Sequence, residues 1–400
     1  MPPKGINGRA NMQKYQMNSK KYGGNPFKFT SLEGSRGRIG RGMWNVIQRR
    51  TEPVAAPVVT AVTPTWTDGS LKDSNFNKAI DWWIEGGEYK DAVILGLGIM
   101  KAWNTSAVTN MSSAFDDGRD RDVSLGGTLN SANFDEDIDD WDVSSVTNMA
   151  EMFKGAASFG NHQDMEFWDV GNVTDMRSMF EGALAFNGGE LLTRWHVDKV
   201  EDMSSMFKNA SSFLGEGEVN SPWDVSSVTN MSSMFNGAIL FMNDLSDWDV
   251  SSVTNMSSMF EGAIAFDEPA TMGDWDVTSV EDMSFMFKGA TAFTGDGEVM
   301  IDDWVPSSVT NMESMFEGAT LFSVSLKNWE VEQVLNMTNI FNGAVGLAVQ
   351  DWSGEPGFWK NGADNIAPIS GFYSGGSNYV VGSVPLEPPG EGPKIIFIPA

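Results

Sequence analysis

Apolar residues recur along this chain at a spacing too long for a single helix or strand. Tryptophan marks the period: Trp103, Trp141, Trp168, Trp195, Trp223, Trp248, Trp275, Trp304, Trp329 and Trp352. One clean unit, Trp248 to Phe266, reads W-D-V-S-S-V-T-N-M-S-S-M-F-E-G-A-I-A-F. Counted from Trp, the apolar positions are Val at +5, Met at +8 and +11, Phe at +12, Ala at +15 and Phe at +18. Position +7 is Asn or Asp and +14 is Gly, replaced by Asn209 in the fourth copy. The β-branched S-S-V-T segment predicts a short strand. Asn or Asp at +7 predicts a helix N-cap, Met, Met and Phe then share one helical face, and Gly at +14 predicts a left-handed helix end.

Such a unit has an apolar side that it cannot cover alone. Stacking covers it, with successive strands about 4.8 Å apart. The expected fold class is therefore an α/β solenoid: about nine strand–short helix repeats with columns of Trp, Val, Met and Phe inside. The boundaries divide the chain into a basic extended arm (1–50), a Pro/Val/Thr linker (51–70), an N-terminal cap (71–102), repeats (103–350) and a C-terminal cap and tail (351–400). In the cap, Phe76, Ala79, Ile80 and Trp83 predict one helical face, with Asp73 or Ser74 as N-cap and Gly86-Gly87 as stop. The apolar tail Ile395–Ile398 has the character of a strand that could add to a partner's edge.

Charge changes the picture. The net charge is −28, yet residues 1–50 hold eleven Lys and Arg against the single acid Glu33. Lys20, Lys21, Arg36, Arg38, Arg41, Arg49 and Arg50 make that arm the candidate anchor, and the acidic remainder disfavours nucleic acid as a partner. The sequence contains no Cys, which excludes disulfides and thiolate metal sites. No signal-peptide pattern is found, and the longest apolar run, Ala92–Met100, is too short to span a membrane.

Candidate chemistry is sparse. His162 and His196 are the two histidines, and neither has a triad-like set of partners in sequence. No enzyme activity and no cofactor is expected. The acidic loop Asp135, Glu136, Asp137, Ile138, Asp139, Asp140 offers a weak Ca²⁺ candidate in Asp135, Asp137 and Asp139, against the simpler reading of a solvated edge. Asp at +1 reads as a turn-stabilising side chain. Asn230, Asn255 and Asn336 open N-x-S/T sequons that fall on the +7 position and follow from the repeat itself.

Length variation collects between +18 and the next Trp, and a further insertion occupies about 116–133. Insertions in repeat arrays gather on the binding face. The predicted partner contacts are thus Asp164, Glu166, Glu190, Glu216, Glu218, Asp267, Glu268, Asp296 and Glu298, facing a protein or a glycan.

Trp141–Phe159, Trp223–Phe241 and Trp248–Phe266 resemble the repeat of the BspA-like leucine-rich-repeat surface proteins, W-D-V-S-x-V-T-N-M-x-x-M-F-x-G-A-x-x-F-N. Residues 103–347 carry the resemblance, and Phe76–Trp103 is similar to that family's leading cap. The resemblance implies a leucine-rich-repeat solenoid, a surface location and adhesion or protein binding, with no catalytic residues. The 1–60 arm and the longer return loops depart from it. Two functions follow as expectations: a surface-displayed binding or adhesion protein anchored by its arm, or a structural component of a virus particle, capsid or tail, assembled through the arm.

Overall fold

A computed structural model describes residues 66, 70–122, 125–160, 165–188, 194–215, 223–267, 272–295, 301–324, 326, 329, 331 and 333–346, with the backbone of 379–381 and 397–399. The basic arm and most of the linker lie outside the described residues. Residues 61–400 form one compact unit, and everything described below belongs to it.

The unit opens with two helices. α1 (Asp73–Glu85) buries Phe76, Ala79, Ile80 and Trp83, the face the sequence predicts, and ends at Gly86 with φ 78°. Lys72 is its N-cap residue, and the Asn75 side-chain Oδ1 accepts the Lys72 N–H at 2.8 Å. α2 (Gly87–Leu97) follows directly and ends at Gly98, φ 81°. Trp66 packs edge-on against Trp82, their ring centroids 5.2 Å apart.

From Trp103 onward the repeats lie side by side. Position +7 of each repeat bridges in parallel to +7 of the next, from Asn110↔Asn148 through Asn311↔Asn336. The backbone N–H groups at +8, +10, +12 and +14 donate to the following repeat. For the second repeat these are Met149 to Asp175, 2.9 Å, Glu151 to Arg177, 2.8 Å, Phe153 to Met179, 2.8 Å, and Gly155 to Glu181, 2.7 Å. Position +6 bonds the other way: Thr174 N–H donates to the Thr147 carbonyl at 2.9 Å.

The predicted short helix does not form. The residue at +10 is left-handed in every repeat: Ser113, Glu151, Ser178, Ser205, Ser233, Ser258, Phe285, Ser314 and Asn339, with φ between 52° and 60°. A left-handed non-glycine residue cannot continue a right-handed helix. The chain instead runs through overlapping turns, as in Met152 N–H to Met149, Lys154 to Glu151 and Ala156 to Phe153. The physical reason is the ladder: a helix would turn these N–H groups along its own axis, whereas turns present every second one to the neighbour. Position +14 is left-handed as expected, from Gly155 to Gly343 and including Asn209 at φ 59°, but it closes a turn rather than a helix. The predicted strand likewise shrinks to the single bridge at +7.

Inside, the side chains stack in register. Trp223, Trp248, Trp275, Trp304 and Trp329 follow one another at centroid distances of 6.3, 6.5, 6.2 and 6.0 Å. Phe forms two columns, not one. Phe207 at +12 lies 3.9 Å from Phe213 at +18 in its own repeat and 5.7 Å from Phe180 and Phe235 in the repeats either side. The Met pairs, Val at +5 and Ala at +15 are fully buried in all but the last repeat, and Val at +2 adds another column. Several indole N–H groups donate to a carbonyl in the stretch just ahead of the preceding Trp, as Trp195 does to Met165 at 2.9 Å and Trp304 to Met272 at 2.7 Å, whereas those of Trp168 and Trp248 have no partner.

The first repeat is closed off by the cap. Its insertion folds back through an antiparallel bridge, Asp120↔Thr128. Arg119 then reaches α1, its terminal nitrogen 2.6 Å from Asp81 Oδ1, with side-chain exposures of 10% and 2%. The same guanidinium donates to the Ala114 carbonyl, which no preceding repeat can serve, and to the Ser113 carbonyl, which also accepts the Asp116 N–H at 3.2 Å. Asp73 does the converse: its carboxylate accepts the Thr109 N–H at 2.7 Å and the Asn110 N–H at 3.1 Å. The insertion is thus a clamp on the cap, which accounts for part of the length variation assigned to partner contact.

Near the end of the chain, β1 (Tyr379–Val381) pairs antiparallel with β2 (Phe397–Pro399) in the register Tyr379↔Pro399 and Val381↔Phe397. The tail strand thus pairs with a strand of its own chain.

Candidate binding surfaces

Because the interior is filled with side chains, chemistry is confined to what the repeats turn outward. Two side-chain turns shape the polar face. At +1 an Asp carboxylate accepts the N–H two residues on, as Asp142 does from Ser144 at 3.1 Å and Asp276 from Thr278 at 3.0 Å. At +7 the Asn or Asp oxygen accepts the +9 N–H in the same way: Asn148 from Ala150, 2.9 Å, and Asp202 from Ser204, 2.8 Å. The oxygen suited to a helix cap is used for an Asx-type turn. Asn230, Asn255 and Asn336, the sequon residues, are half-buried and engaged like the rest.

Between these turns Thr at +6 faces solvent, and its hydroxyl donates to the preceding repeat's +6 carbonyl, as Thr254 does to Thr229 at 3.1 Å. The +7 column brings two carboxylates, Asp175 and Asp202, into adjacent rungs. Burial, reinforced by the charges of Asp202 and Glu151, raises Asp175 above the usual carboxylate range despite the bond from Arg177 N–H. At +13 acidic and basic residues alternate, interrupted by the neutral Asn236 and ending at Asn342. Lys154 lies 3.6 Å from Glu181, and Lys288 lies 3.4 Å from Glu317.

The second surface is apolar and was not foreseen. At +16 and +17, just ahead of the variable return loops, Leu184, Ile239, Leu240, Ile264, Leu321 and Val345 are exposed by 38–59%. Met242 in the next stretch is exposed by 55%. Ile239, Leu240 and Ile264 come from neighbouring repeats and form the densest part of the row. The signal was readable: +16 carries a large aliphatic residue in four repeats while lying off the buried positions.

Of the predicted partner contacts, Asp267 is described, and its carboxylate accepts the Thr294 N–H at 3.1 Å in the following repeat. Glu166 lies in a short 3₁₀ turn, Met165–Phe167. Asp164, Glu190, Glu216, Glu218, Glu268, Asp296 and Glu298 lie outside the described residues, as does the anchor arm with Lys20, Lys21, Arg36, Arg38, Arg41, Arg49 and Arg50. His162 is also outside, and His196 is an exposed +1 residue.

The acidic loop is drawn into the cap rather than around an ion. Glu136 Oε1 accepts from Trp83 Nε1 and Lys90 Nζ, each at 3.1 Å. Lys101 Nζ sits 2.6 Å from Asp137 Oδ2, and that ammonium holds the Asp137 carboxyl below its ordinary range. Asp139 gives its N–H to Asp137 Oδ1 at 3.2 Å. Asp135, Asp137 and Asp139 do not converge: among the described residues no group of three or more His, Cys, Asp or Glu is placed to hold a metal. Also among the described residues, no helix is long and apolar enough to cross a membrane.

A family model described as "Mycoplasma protein of unknown function, DUF285" matches residues 94–127, 123–221, 215–300 and 296–354 in tandem. No curated relative and no solved structure matches the chain.

Proposed function

The chain belongs to the repeat family described as Mycoplasma protein of unknown function, DUF285, and from that premise we propose a non-enzymatic binding or adhesion protein whose repeats form a leucine-rich-repeat-like solenoid. The observation that carries this reading is the exposed row Leu184, Ile239, Leu240, Ile264, Leu321 and Val345, set beside the loops whose lengths vary. The same positions could have been polar, since nothing in the core needs them. A rimmed apolar row suits the face of a protein partner. Packing occupies the Met and aromatic residues of the repeat columns. The basic arm then serves as anchor, and the protein acts at the surface of a cell or particle.

The test compares the intact chain with the triple variant Ile239→Ser, Leu240→Ser, Ile264→Ser. Both are immobilised at equal density and exposed to surface-labelled cell extract. Loss of a captured species in the triple variant, with unchanged circular dichroism, supports the reading; equal capture by both proteins refutes it. The alternative, a structural component of a virus particle, draws on the contrast between the eleven-base arm and the acidic remainder. Arm-dependent self-assembly of the intact chain, absent in a chain beginning at Ala61, would favour it.

A further inference from the structure

The exposed apolar row coincides with a change in charge along the array. Between Lys208 and Lys327 the sequence holds nineteen Asp and Glu and a single base, Lys288. That base is already paired, 3.4 Å from Glu317. The repeats before it, from Trp103 to Lys208, hold seven bases. Ile239, Leu240, Met242, Ile264 and Leu321, exposed by 38–55%, all fall inside the base-poor stretch.

The backbone changes in the same repeats. In the repeats opened by Trp168 and Trp329 the +17 N–H stays in the ladder: Ala185 donates to the Ala157 carbonyl and Gly346 to that of Thr320, each at 3.0 Å. In the four repeats opened by Trp223, Trp248, Trp275 and Trp304 the corresponding amides are those of Leu240, Ala265, Ala292 and Leu321. They reach no carbonyl among the described residues. Leu240 and Leu321 are exposed, and Ala265 and Ala292 are half-buried. An amide at the surface without a protein acceptor is served by water or by a ligand.

We propose that this part of the row docks an extended polypeptide segment of a partner protein, one that carries Lys and Arg among apolar side chains. The proposal rests on the reading of the row as a protein-binding face and names the class of partner. Apolar side chains of the segment cover Ile239, Leu240 and Ile264, and its carbonyls accept the +17 amides. Its cations meet Asp244, Glu261 and Asp267, which flank the row at +13 and just past +18. None of these three carboxylates forms an ion pair among the described residues. A polyamine supplies the cations but neither the apolar side chains nor the carbonyls. Nucleic acid and an anionic membrane bring charge of the wrong sign.

The experiment is fluorescence anisotropy of the full chain with a labelled peptide of three Lys-Leu-Lys-Val units. The controls are the same peptide with Ser for Leu and Val, the same peptide with Glu for Lys, and spermine as a competitor. The cationic apolar peptide should bind at least about tenfold more tightly than either altered peptide. Two variants read the two halves of the surface. Ile239→Ser, Leu240→Ser, Ile264→Ser should weaken binding by about tenfold or more. Asp244→Asn, Glu261→Gln, Asp267→Asn keeps an acceptor oxygen for Ser246, Asn236 and Thr294. It should weaken binding roughly three- to thirtyfold and flatten its dependence on salt. The proposal is overturned if the Glu or Ser peptide binds as well, if spermine displaces the peptide at equal concentration, or if neither variant weakens binding. A dimer of the intact chain that the Ile239, Leu240 and Ile264 substitutions abolish, read by sedimentation, would give the face to a second copy and also overturn it. A species captured from cell extract, lost in that triple variant yet not displaced by the cationic peptide, overturns this class of partner alone; equal capture by parent and variant removes the protein-binding face itself.

Discussion

Replacing Arg119 with Ala should unfasten the cap from the repeats. Arg119 and Asp81 are an ion pair with 10% and 2% side-chain exposure, 36 residues of helix and first repeat separating their neighbours Glu85 and Arg121, which pair alongside. Removing one partner of a buried pair costs about 3–5 kcal/mol, since the other charge stays buried without compensation. The Asp122 N–H, 2.7 Å from Asp81 Oδ2, would be the carboxylate's remaining bond from the insertion. The Ala114 carbonyl would also lose its donor, adding about 1 kcal/mol at most, while the Ser113 carbonyl keeps the Asp116 N–H. Because repeat arrays open locally, the proper measure is native-state hydrogen exchange resolved by residue, alongside urea unfolding. Protection should fall by roughly two to three decades in α1 and residues 103–117 and change little beyond residue 200. The double variant Asp81→Leu, Arg119→Met removes both charges and should recover most of the loss. A single variant within about 1 kcal/mol of the parent, or a double variant as unstable as the single, would refute the clamp.

Other outcomes follow from the columns. Asp175→Asn should raise the melting temperature at pH 7: the folded site raises this carboxyl, so its ionised form opposes folding, and Asn already stands at +7 in the preceding repeat, at Asn148. The gain should vanish as pH falls through the carboxylate range; a gain that persists at pH 3 would contradict the electrostatic cause. Phe207→Ala opens a void between Phe180, Phe213 and Phe235 and should cost about 3–5 kcal/mol in urea unfolding. Gly237→Ala should cost more than Gly262→Ala. Both are left-handed, but a Cβ at 237 would meet Asn209 Oδ1 at 2.5 Å, whereas 262 has no closer neighbour than 3.9 Å. The variant Asn209→Gly should remove that difference, as read by thermal melts.

The period, the buried columns and α1 were legible because each is written in large apolar side chains at fixed offsets. The turns were not. Ser at +10 is an ordinary residue whose left-handed φ is imposed by the neighbouring repeat, and a Met-x-x-Met-Phe spacing fits a helical face equally well. Asn or Asp at +7 misled for a related reason: the side-chain oxygen makes the same kind of bond in an Asx turn as in an N-cap. The clamp was hidden by distance, since Arg119 and Asp81 are 38 positions apart. Two arginines inside an otherwise acidic insertion were the available hint. The alternation at +13, from Asp116, Lys154, Glu181 and Lys208, across the neutral Asn236, to Glu261, Lys288 and Glu317, is fully readable in the sequence.

Four amides per repeat facing forward and four carbonyls facing back give the array a direction, like a row of magnets laid pole to pole. The leading rim is electron-rich and is met by a guanidinium; the trailing rim presents donors. A duplicated repeat inserted anywhere would find complementary neighbours on both sides, whereas an inverted one would set like poles together. Lengthening such a chain by unit duplication is therefore chemically open-ended, and joining two copies through these rims is permitted head to tail but not head to head.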